Sequence, residues 1–444
     1  MCGIAGLVHF DGRPVDDTIL REMCDALTHR GPDDEGRMTW PADGMGARGR
    51  AAAGLGNRRL SIIDIQGGHQ PIANETGEIW TVLNGEIYNF VALRGTLEQR
   101  GHRFSTRSDT EVVTHAYEEF GDACVEHFDG MFALAIWDGR RERLLLARDR
   151  FGKKPLCYRA ACPDVAFASE LQALLIVPGA GHEIDCDALG DYLAYMAVPA
   201  PRTIYRDVRK LPPAHTLVAD RQGVRVQRYW SLAYEPKLQI EKGEAVERVR
   251  ELLVKAVRKR LVSEVPLGAF LSGGVDSSTI VALMTQISGR PVKTFSIGFD
   301  DPRYNELPDA RRVAEAFKCE HHEFIVRPDI LETLPAMVRH FGEPFADSSA
   351  IPSWYLAKLS REHVTVALNG DGGDEVFAGY GRHLANHLAE QWNKVPGALR
   401  RPIDRLARGA VHGRRWNAAR RTLQGLGRRV QPRFRPRVVR RRSV

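Results

Sequence analysis

One pattern in the second half of the chain narrows its fold more than any other. An apolar run, VPLGAFLS (265–272), meets two glycines and then the helical stretch DSSTIVALMTQI. Further strand-like runs follow (VKTFSIGF, HHEFIV and VTVALNG), separated by helical stretches such as ELPDARRVAEAFK. Parallel strands need crossover connections, and helices supply them, so this alternation predicts a doubly wound parallel sheet. An amphipathic helix over 244–262 precedes it.

The first 205 residues read differently. GIAGLVHF, RLSIIDI, IWTVLNGEIYN, FALAIWD, RLLLARD and VAFAS are short strand-like runs punctuated by Gly, Asp, Asn and Pro. VALRGTLEQRG and DTEVVTHAYEEFG have helical spacing. The proline-bearing stretch from Val198 to Pro213 reads as a connection, and TLVADRQGVRVQRYWSL as a last extended piece. The expected division is a first domain over 2–205, a linker over 206–240, a second domain over 241–400, and an Arg-rich, disordered tail over 401–444.

No run of about 18 apolar residues is present, so no membrane span is expected. The first residues lack the basic and apolar regions of a secretory signal. Seven scattered cysteines without a CxxC pair argue against a disulfide scaffold or a zinc ribbon and point to a reducing cytoplasm. The net charge of +7 is local: residues 401–444 hold fifteen Arg and a single acid, a balance of +14, which leaves the remainder at 7 − 14 = −7. Nucleic-acid binding is therefore not expected except through the tail.

Two glycine-rich segments carry phosphate chemistry. Ser272-Gly273-Gly274-Val275-Asp276-Ser277-Ser278 sits between strand and helix, where inward N–H groups and a helix N-terminus can cradle phosphate. No Lys follows the glycines, so it is not a P-loop of the GxxxxGK[ST] type. Asn369-Gly370-Asp371-Gly372-Gly373-Asp374-Glu375 ends the fourth strand. Asp276, Asp371 and Asp374 offer hard oxygen ligands suited to Mg²⁺. Near the amino end, loss of Met1 would place a free amine beside the Cys2 thiol. An α-amine of pKa about 7.7–8.0 can take a proton from a thiol of pKa about 8.5, giving a nucleophile. Asn84 and Gly85 suit an oxyanion hole, and Arg59 and Asp109 have the charges to hold an amino-acid zwitterion. His321-His322 reads as an ordinary strand start, Trp40, Trp80, Trp137 and Trp354 as core or interface aromatics, and the other six cysteines as incidental thiols.

CGIAG, RRLSIID (58–64), NGEIYN (84–89), SDTEVV (108–113) and ARDRFGKKPLCY (147–158) resemble a class II glutamine amidotransferase domain. Followed by FLSGGVDSS and LNGDGGDEVFAGY, their order is similar to glutamine-hydrolysing asparagine synthetase. The resemblance implies an α+β domain of the Ntn-hydrolase type, an αββα sandwich, followed by an α/β doubly wound PP-loop domain resembling the adenine nucleotide α-hydrolases. It implies that Cys2 is the nucleophile, that Arg59 binds the glutamine carboxylate, and that Glu86 and Asp109 bind its amino group, with Asn84 and Gly85 as oxyanion hole. It places Leu271, Ile297, Asn369 and Gly370 against ATP and Ser272 to Ser278 around pyrophosphate, with Asp276 and Asp374 near Mg²⁺. Asp371 stands where many members carry a Glu implicated in forming the acyl-adenylate, and Phe345 to Ser349 face the acceptor acid. The implied substrates are glutamine, ATP and aspartate or another carboxylate; a homodimer is left open. After Leu426 the Arg- and Pro-rich text departs from the family pattern. It reads as a truncated or frame-shifted product, with a basic tail for nucleic acid or acidic membrane as the other reading. A glutaminase without ligase output is a third possibility.

Overall fold

The computed structural model describes residues 1–41, 50–327 and 329–400. Residues 1–369 form one compact unit and a second begins at Gly370.

The first half of the larger unit is a sandwich of two antiparallel sheets. Its strands are β1 (Gly3–His9), β2 (Asp34–Trp40), β3 (Ala52–Arg59), β4 (Ile72–Ala73), β5 (Ile79–Ile87), β6 (Gly130–Asp138), β7 (Arg143–Arg148), β8 (Cys157–Ala161), β9 (Asp164–Ala168), β10 (Arg209–Lys210), β11 (His215–Asp220) and β12 (Gly223–Arg228). One sheet runs β10-β8-β9-β1-β3-β2, the other β12-β11-β7-β6-β5-β4. Strand periodicity sorts the side chains: on β7, Leu144 and Leu146 enter the core between the sheets, while Leu145 and Ala147 face outward into a second core. That second core is closed by α2 (Phe90–Gln99) and α3 (Asp109–Phe120), through Leu97, Val112, Val113 and Tyr117. On the far face, α1 (Asp17–Asp25) and α4 (Leu171–Leu174) bury Met23 and Leu174 against the first sheet. Helix, sheet, sheet and helix make four layers, as the resemblance implies. Trp137 is fully buried between the sheets, with Trp40 and Trp80 against the same core.

The expected linker is a correction. Within 206–240, β10 pairs with β8, and β11 pairs with both β7 and β12. Thr203, Val208 and Leu211 are fully buried. The prolines that suggest a loose connection mark bends between short edge segments, and the buried apolar residues among them anchor the chain. Helix α5 (Cys186–Tyr195) comes just before these bends in the chain.

The remainder of this unit is the parallel sheet read from the sequence. Helix α6 (Lys242–Arg260) leads to β13 (Leu267–Phe270), α7 (Val275–Ser288), β14 (Lys293–Gly298), α8 (Leu307–Ala316), β15 (Glu320–Ile325), α9 (Ile330–Phe341), α10 (Ala350–Ser360) and β16 (Val366–Leu368). Every pairing in the order β15-β14-β13-β16 is parallel. Because the chain goes from β13 toward β15 and then returns to the other side of β13, the order reverses there. The carboxyl end of β13 is therefore the crevice in which such sheets bind ligands. The expected boundary near 240 thus separates two sheet systems packed within one compact unit. The two meet through Lys259 and Asp129, through Arg260 stacked over Tyr88 at 4.6 Å, and through Lys210 and Glu343.

In the second unit, α11 (Gly373–Phe377) and α12 (Gly381–Lys394) follow a turn in which Gly372 has φ of +97°. The tail over 401–444 lies outside the described residues. Among the described residues, no helix is long and apolar enough to cross a membrane.

Candidate active site

A cavity of about 320 Å³ opens at the amino end of β1. Its walls include Cys2, Arg59, Asn84, Gly85, Glu86 and Asp109, every residue expected to serve glutamine. Cys2 is held by its backbone: β1 is central in its sheet, and Arg30 Nε donates to the Cys2 carbonyl at 2.9 Å. The Cys2 thiol approaches the Leu60 carbonyl at 3.7 Å. Met1 also lines the cavity, and burial lowers its α-amine to about 5 although the residue as a whole is 58% exposed.

Arg59 ends β3, 5% exposed. Its guanidinium is fixed by three carbonyls of the following turn: Nη2 donates to Ile63 and Asp64 at 2.8 and 2.7 Å, and Nη1 to Ile65 at 3.2 Å. That turn is itself held by a residue just ahead of β13. The Glu264 carboxylate accepts the Asp64 and Ile65 N–H groups at 2.8 and 3.3 Å, and its own N–H donates to the Ile62 carbonyl.

Asp109 begins α3, where Ser108 caps the helix by accepting the Thr110 N–H. Asp109 is 6% exposed; burial raises its carboxyl to about 6 despite the hydrogen bond from the Ile87 N–H at 2.9 Å. Glu86 is raised to about 7, chiefly by burial and then by the Asp109 charge. Two buried carboxylates that resist ionisation suit an incoming ammonium, which would restore their charge.

Asn84 and Gly85 lie within β5, toward its carboxyl end. Asn84 is fully buried, and neither its amide nitrogen nor its oxygen has a hydrogen-bond partner. An unpaired buried amide facing a cavity is costly to keep and is a fitting donor for charge that appears only during a reaction. At Gly85 a Cβ would stand 2.2 Å from the Met131 carbonyl, so no other residue fits.

Several wall residues carry no mark in the sequence. Lys154 is 6% exposed, and burial lowers its ammonium. Its loop is shaped by Asp149, which accepts the N–H groups of Phe151, Lys153 and Lys154 at 3.0 Å. Gln70 bridges β5 and α3, accepting from Leu83 N–H and donating to Thr110 Oγ1. Thr365, Val366 and Ala367 also line the cavity, bringing the parallel sheet to its wall. The ARDRFGKKPLCY motif contains Lys154, but nothing in its spacing marks it for this wall.

At the carboxyl end of β13, Leu271 is buried and Gly273 turns with φ of +82°. A Cβ on Gly273 would meet the Ala310 nitrogen at 2.6 Å, so the loop packs closely on α8. Ser272 and Ser277 bond through their hydroxyls at 3.0 Å, and Ser272 also accepts from the Gly274 N–H. Gly274 caps α7, Asp276 lies in its first turn, and the buried Ser278 hydroxyl has no partner. Ile297 is on the neighbouring β14 near its carboxyl end. A tight loop, a helix N-terminus and an orphan hydroxyl fit a polyphosphate. Asn369 follows β16 at the end of the larger unit; Gly370, Asp371 and Asp374 belong to the second unit, with Asp374 in the first turn of α11. His321 starts β15, as expected, and contacts Thr294 Oγ1 at 2.9 Å. Cys24, Cys124 and Cys157 are buried, whereas Cys162 and Cys186 are exposed and Cys319 is half-buried.

The chain thus falls into a two-sheet sandwich carrying the cavity and a parallel sheet carrying the glycine loop, and comparison with known proteins gives the same division. A glutamine amidotransferase domain model matches residues 1–230, and an asparagine synthase model matches 248–443. The chain belongs to the glutamine-hydrolysing asparagine synthetase family. It is 36% identical over 422 residues to the putative asparagine synthetase [glutamine-hydrolyzing] 2 of Methanocaldococcus jannaschii, covering 90% of this chain and 79% of that protein. It is 35% identical to asparagine synthetase [glutamine-hydrolyzing] 1 of Bacillus subtilis, covering 94% of this chain and 64% of that one. The chain therefore spans just under two thirds of the B. subtilis relative. Among solved structures, the glutamine phosphoribosylpyrophosphate amidotransferase of B. subtilis matches at 17% identity and a TM-score of 0.37, over 75% of this chain and 70% of that one. The asparagine synthase match runs through the Arg-rich stretch after Leu426, which the sequence reading set outside the family pattern; that expectation is corrected.

Proposed function

We propose that the protein is a glutamine-dependent asparagine synthetase. The observation that carries this reading is the cavity in which Cys2, Arg59, Asn84, Gly85, Glu86 and Asp109 converge beside β16 of the parallel sheet. In this reading Met1 is removed, so the amine beside the thiol belongs to Cys2. An α-amine at Cys2, with an ordinary pKa of about 7.7–8.0, is close enough to the thiol to accept its proton. Arg59 holds the carboxylate of glutamine, and Glu86 and Asp109 hold its ammonium. The thiolate attacks the side-chain amide, Asn84 and the Gly85 N–H stabilise the oxyanion, and ammonia leaves a glutamyl thioester that water cleaves.

Ammonia entering bulk water at pH 7 would be protonated and lose its lone pair. The nearness of Thr365–Ala367 supports an enclosed route toward the carboxyl end of the parallel sheet. There Ser272 to Ser278 would hold the pyrophosphate of ATP, with Leu271, Ile297, Asn369 and Gly370 as further nucleotide contacts. The aspartate β-carboxylate attacks the α-phosphorus, pyrophosphate departs, and ammonia displaces AMP to give asparagine. By their places in the two glycine-rich motifs, Asp276 and Asp374 are each assigned to Mg²⁺, which would offset phosphate charge. Asp371 is assigned to acyl-adenylate formation and Phe345 to Ser349 to the acceptor.

The test is a coupled assay with ¹⁵N-amide glutamine, ATP and a panel of carboxylates. Label in asparagine together with stoichiometric AMP and pyrophosphate is expected. Transfer to another acid, or glutamate formation with no nucleotide cleavage under any acceptor, would replace this reading with another amidotransferase or a glutaminase alone.

A further inference from the structure

The outer end of α3 holds a cluster with no part in the chemistry above. Glu75, His102, His115 and Glu118 come from three separate places in the chain, yet one ligand atom from each lies within 4.8 Å of the others. His115 is fully buried, and neither ring nitrogen has a hydrogen-bond partner. Leaving such a group unpaired costs about 1–3 kcal/mol, which calls for a ligand that pairs it.

The ring orientations say which ligand. Nδ1 of both histidines turns toward the same carboxylate: His115 Nδ1 is 3.5 Å and His102 Nδ1 3.9 Å from Glu75, and His102 Nδ1 is also 3.8 Å from Glu118. These gaps are too long for hydrogen bonds. Bonds of about 2.0–2.1 Å around a tetrahedral Zn²⁺ place neighbouring N and O ligands about 3.3–3.4 Å apart, so the ligand atoms, all within 4.8 Å of one another, draw together when the ion binds. The opposite nitrogens each face a further carboxylate. His115 Nε2 lies 3.7 Å from Glu111, and His102 Nε2 3.4 Å from Glu119. Carboxylates behind metal-bound imidazoles are the usual means of fixing the tautomer. Glu111 is buried and fixed in place by the N–H and hydroxyl groups of Ser105 and Thr106, which donate to it at 2.7–2.8 Å. Two neutral imidazoles and two carboxylates balance one divalent charge. The exposed Glu75 leaves a path to solvent.

We propose that Glu75, His102, His115 and Glu118 bind one structural divalent metal ion of the zinc class, backed by Glu111 and Glu119. Asn74, which donates to Glu118 at 3.2 Å, Arg140, 3.6 Å from it, and the Arg103 N–H on Glu75 at 2.7 Å steady the two carboxylates from outside. The ion would tie the segment before α3 to the helix whose first residue is Asp109. It would therefore steady the glutamine site without touching substrate.

The test uses the full chain in a Cys2→Ala background, so that the catalytic thiol cannot hold zinc, with no polyhistidine tag. Purified protein is analysed for metal, stripped with a chelator, and titrated with Zn²⁺ against a chromophoric competitor. About one equivalent is expected, with X-ray absorption showing two imidazoles per zinc. His102→Ala and Glu118→Gln should weaken binding at least about tenfold, and Glu119→Gln by about tenfold through the outer contact. Both His102 and Glu118 are partly exposed, so these variants test the site even if His115→Ala fails to fold. No tight equivalent, or an equivalent that persists unweakened in His102→Ala and Glu118→Gln, overturns the proposal.

Discussion

Replacing Asn84 with alanine distinguishes an amide held for chemistry from one held for packing. The side chain is fully buried, but neither of its polar atoms is paired. Its contribution to the resting fold is therefore the packing of a few atoms less the burden of unsatisfied groups, each worth about 1–3 kcal/mol. These nearly cancel, so Asn84→Ala should shift the melting temperature by no more than about 4 °C. During hydrolysis the same amide meets a developing negative charge, where one such donor contributes about 2.7–4 kcal/mol. Steady-state glutamate release should show kcat lowered by about 10²–10³. KM should stay within about threefold, since the interaction arises only in the transition state. A kcat close to the parent's, or a melting temperature lowered by about 8 °C or more, would show that Asn84 holds the strand rather than the oxyanion.

Further outcomes can be checked directly. Cys2→Ala should abolish glutamine hydrolysis while leaving ammonia-supported synthesis, and intact-mass measurement of the active parent should show Met1 removed; retention on every molecule would refute the terminal-amine mechanism. Glu86 and Asp109 ionise only near 7 and 6, so KM for glutamine should rise as pH falls through this window, by up to about tenfold per unit. Lys154 lowers the Glu86 value, so Lys154→Met should move that rise to higher pH, as a KM–pH profile would reveal. Glu264→Gln weakens an exposed charge-assisted clamp on the Arg59 turn and should raise KM for glutamine by about two- to fivefold at unchanged stability; an unaltered KM would show that the turn stands without it.

The parallel sheet was legible because its period changes cleanly at Gly273 and Gly274 from strand to helix. The cavity residues Cys2, Arg59, Asn84, Gly85, Glu86 and Asp109 were legible because they sit in recognisable motifs. The edge strand at Arg209–Lys210 was not, since two residues give no alternation and the surrounding prolines suggest a loop. Lys154 was hidden because Asp149, through backbone contacts, decides where it points. The histidine–glutamate cluster was hidden for a related reason: its members are scattered from Glu75 to Glu118, with no spacing of their own, and only the fold of α3 onto the neighbouring turn assembles them.

The guanidinium that greets substrate hangs from Ile63, Asp64 and Ile65, and those from Glu264, two residues before Pro266 and the foot of β13. A pull on that foot reaches Arg59 through two successive hydrogen bonds. Under the proposed reading the two chemistries hang on one linkage, running from the foot of β13 through Glu264 and its turn to Arg59.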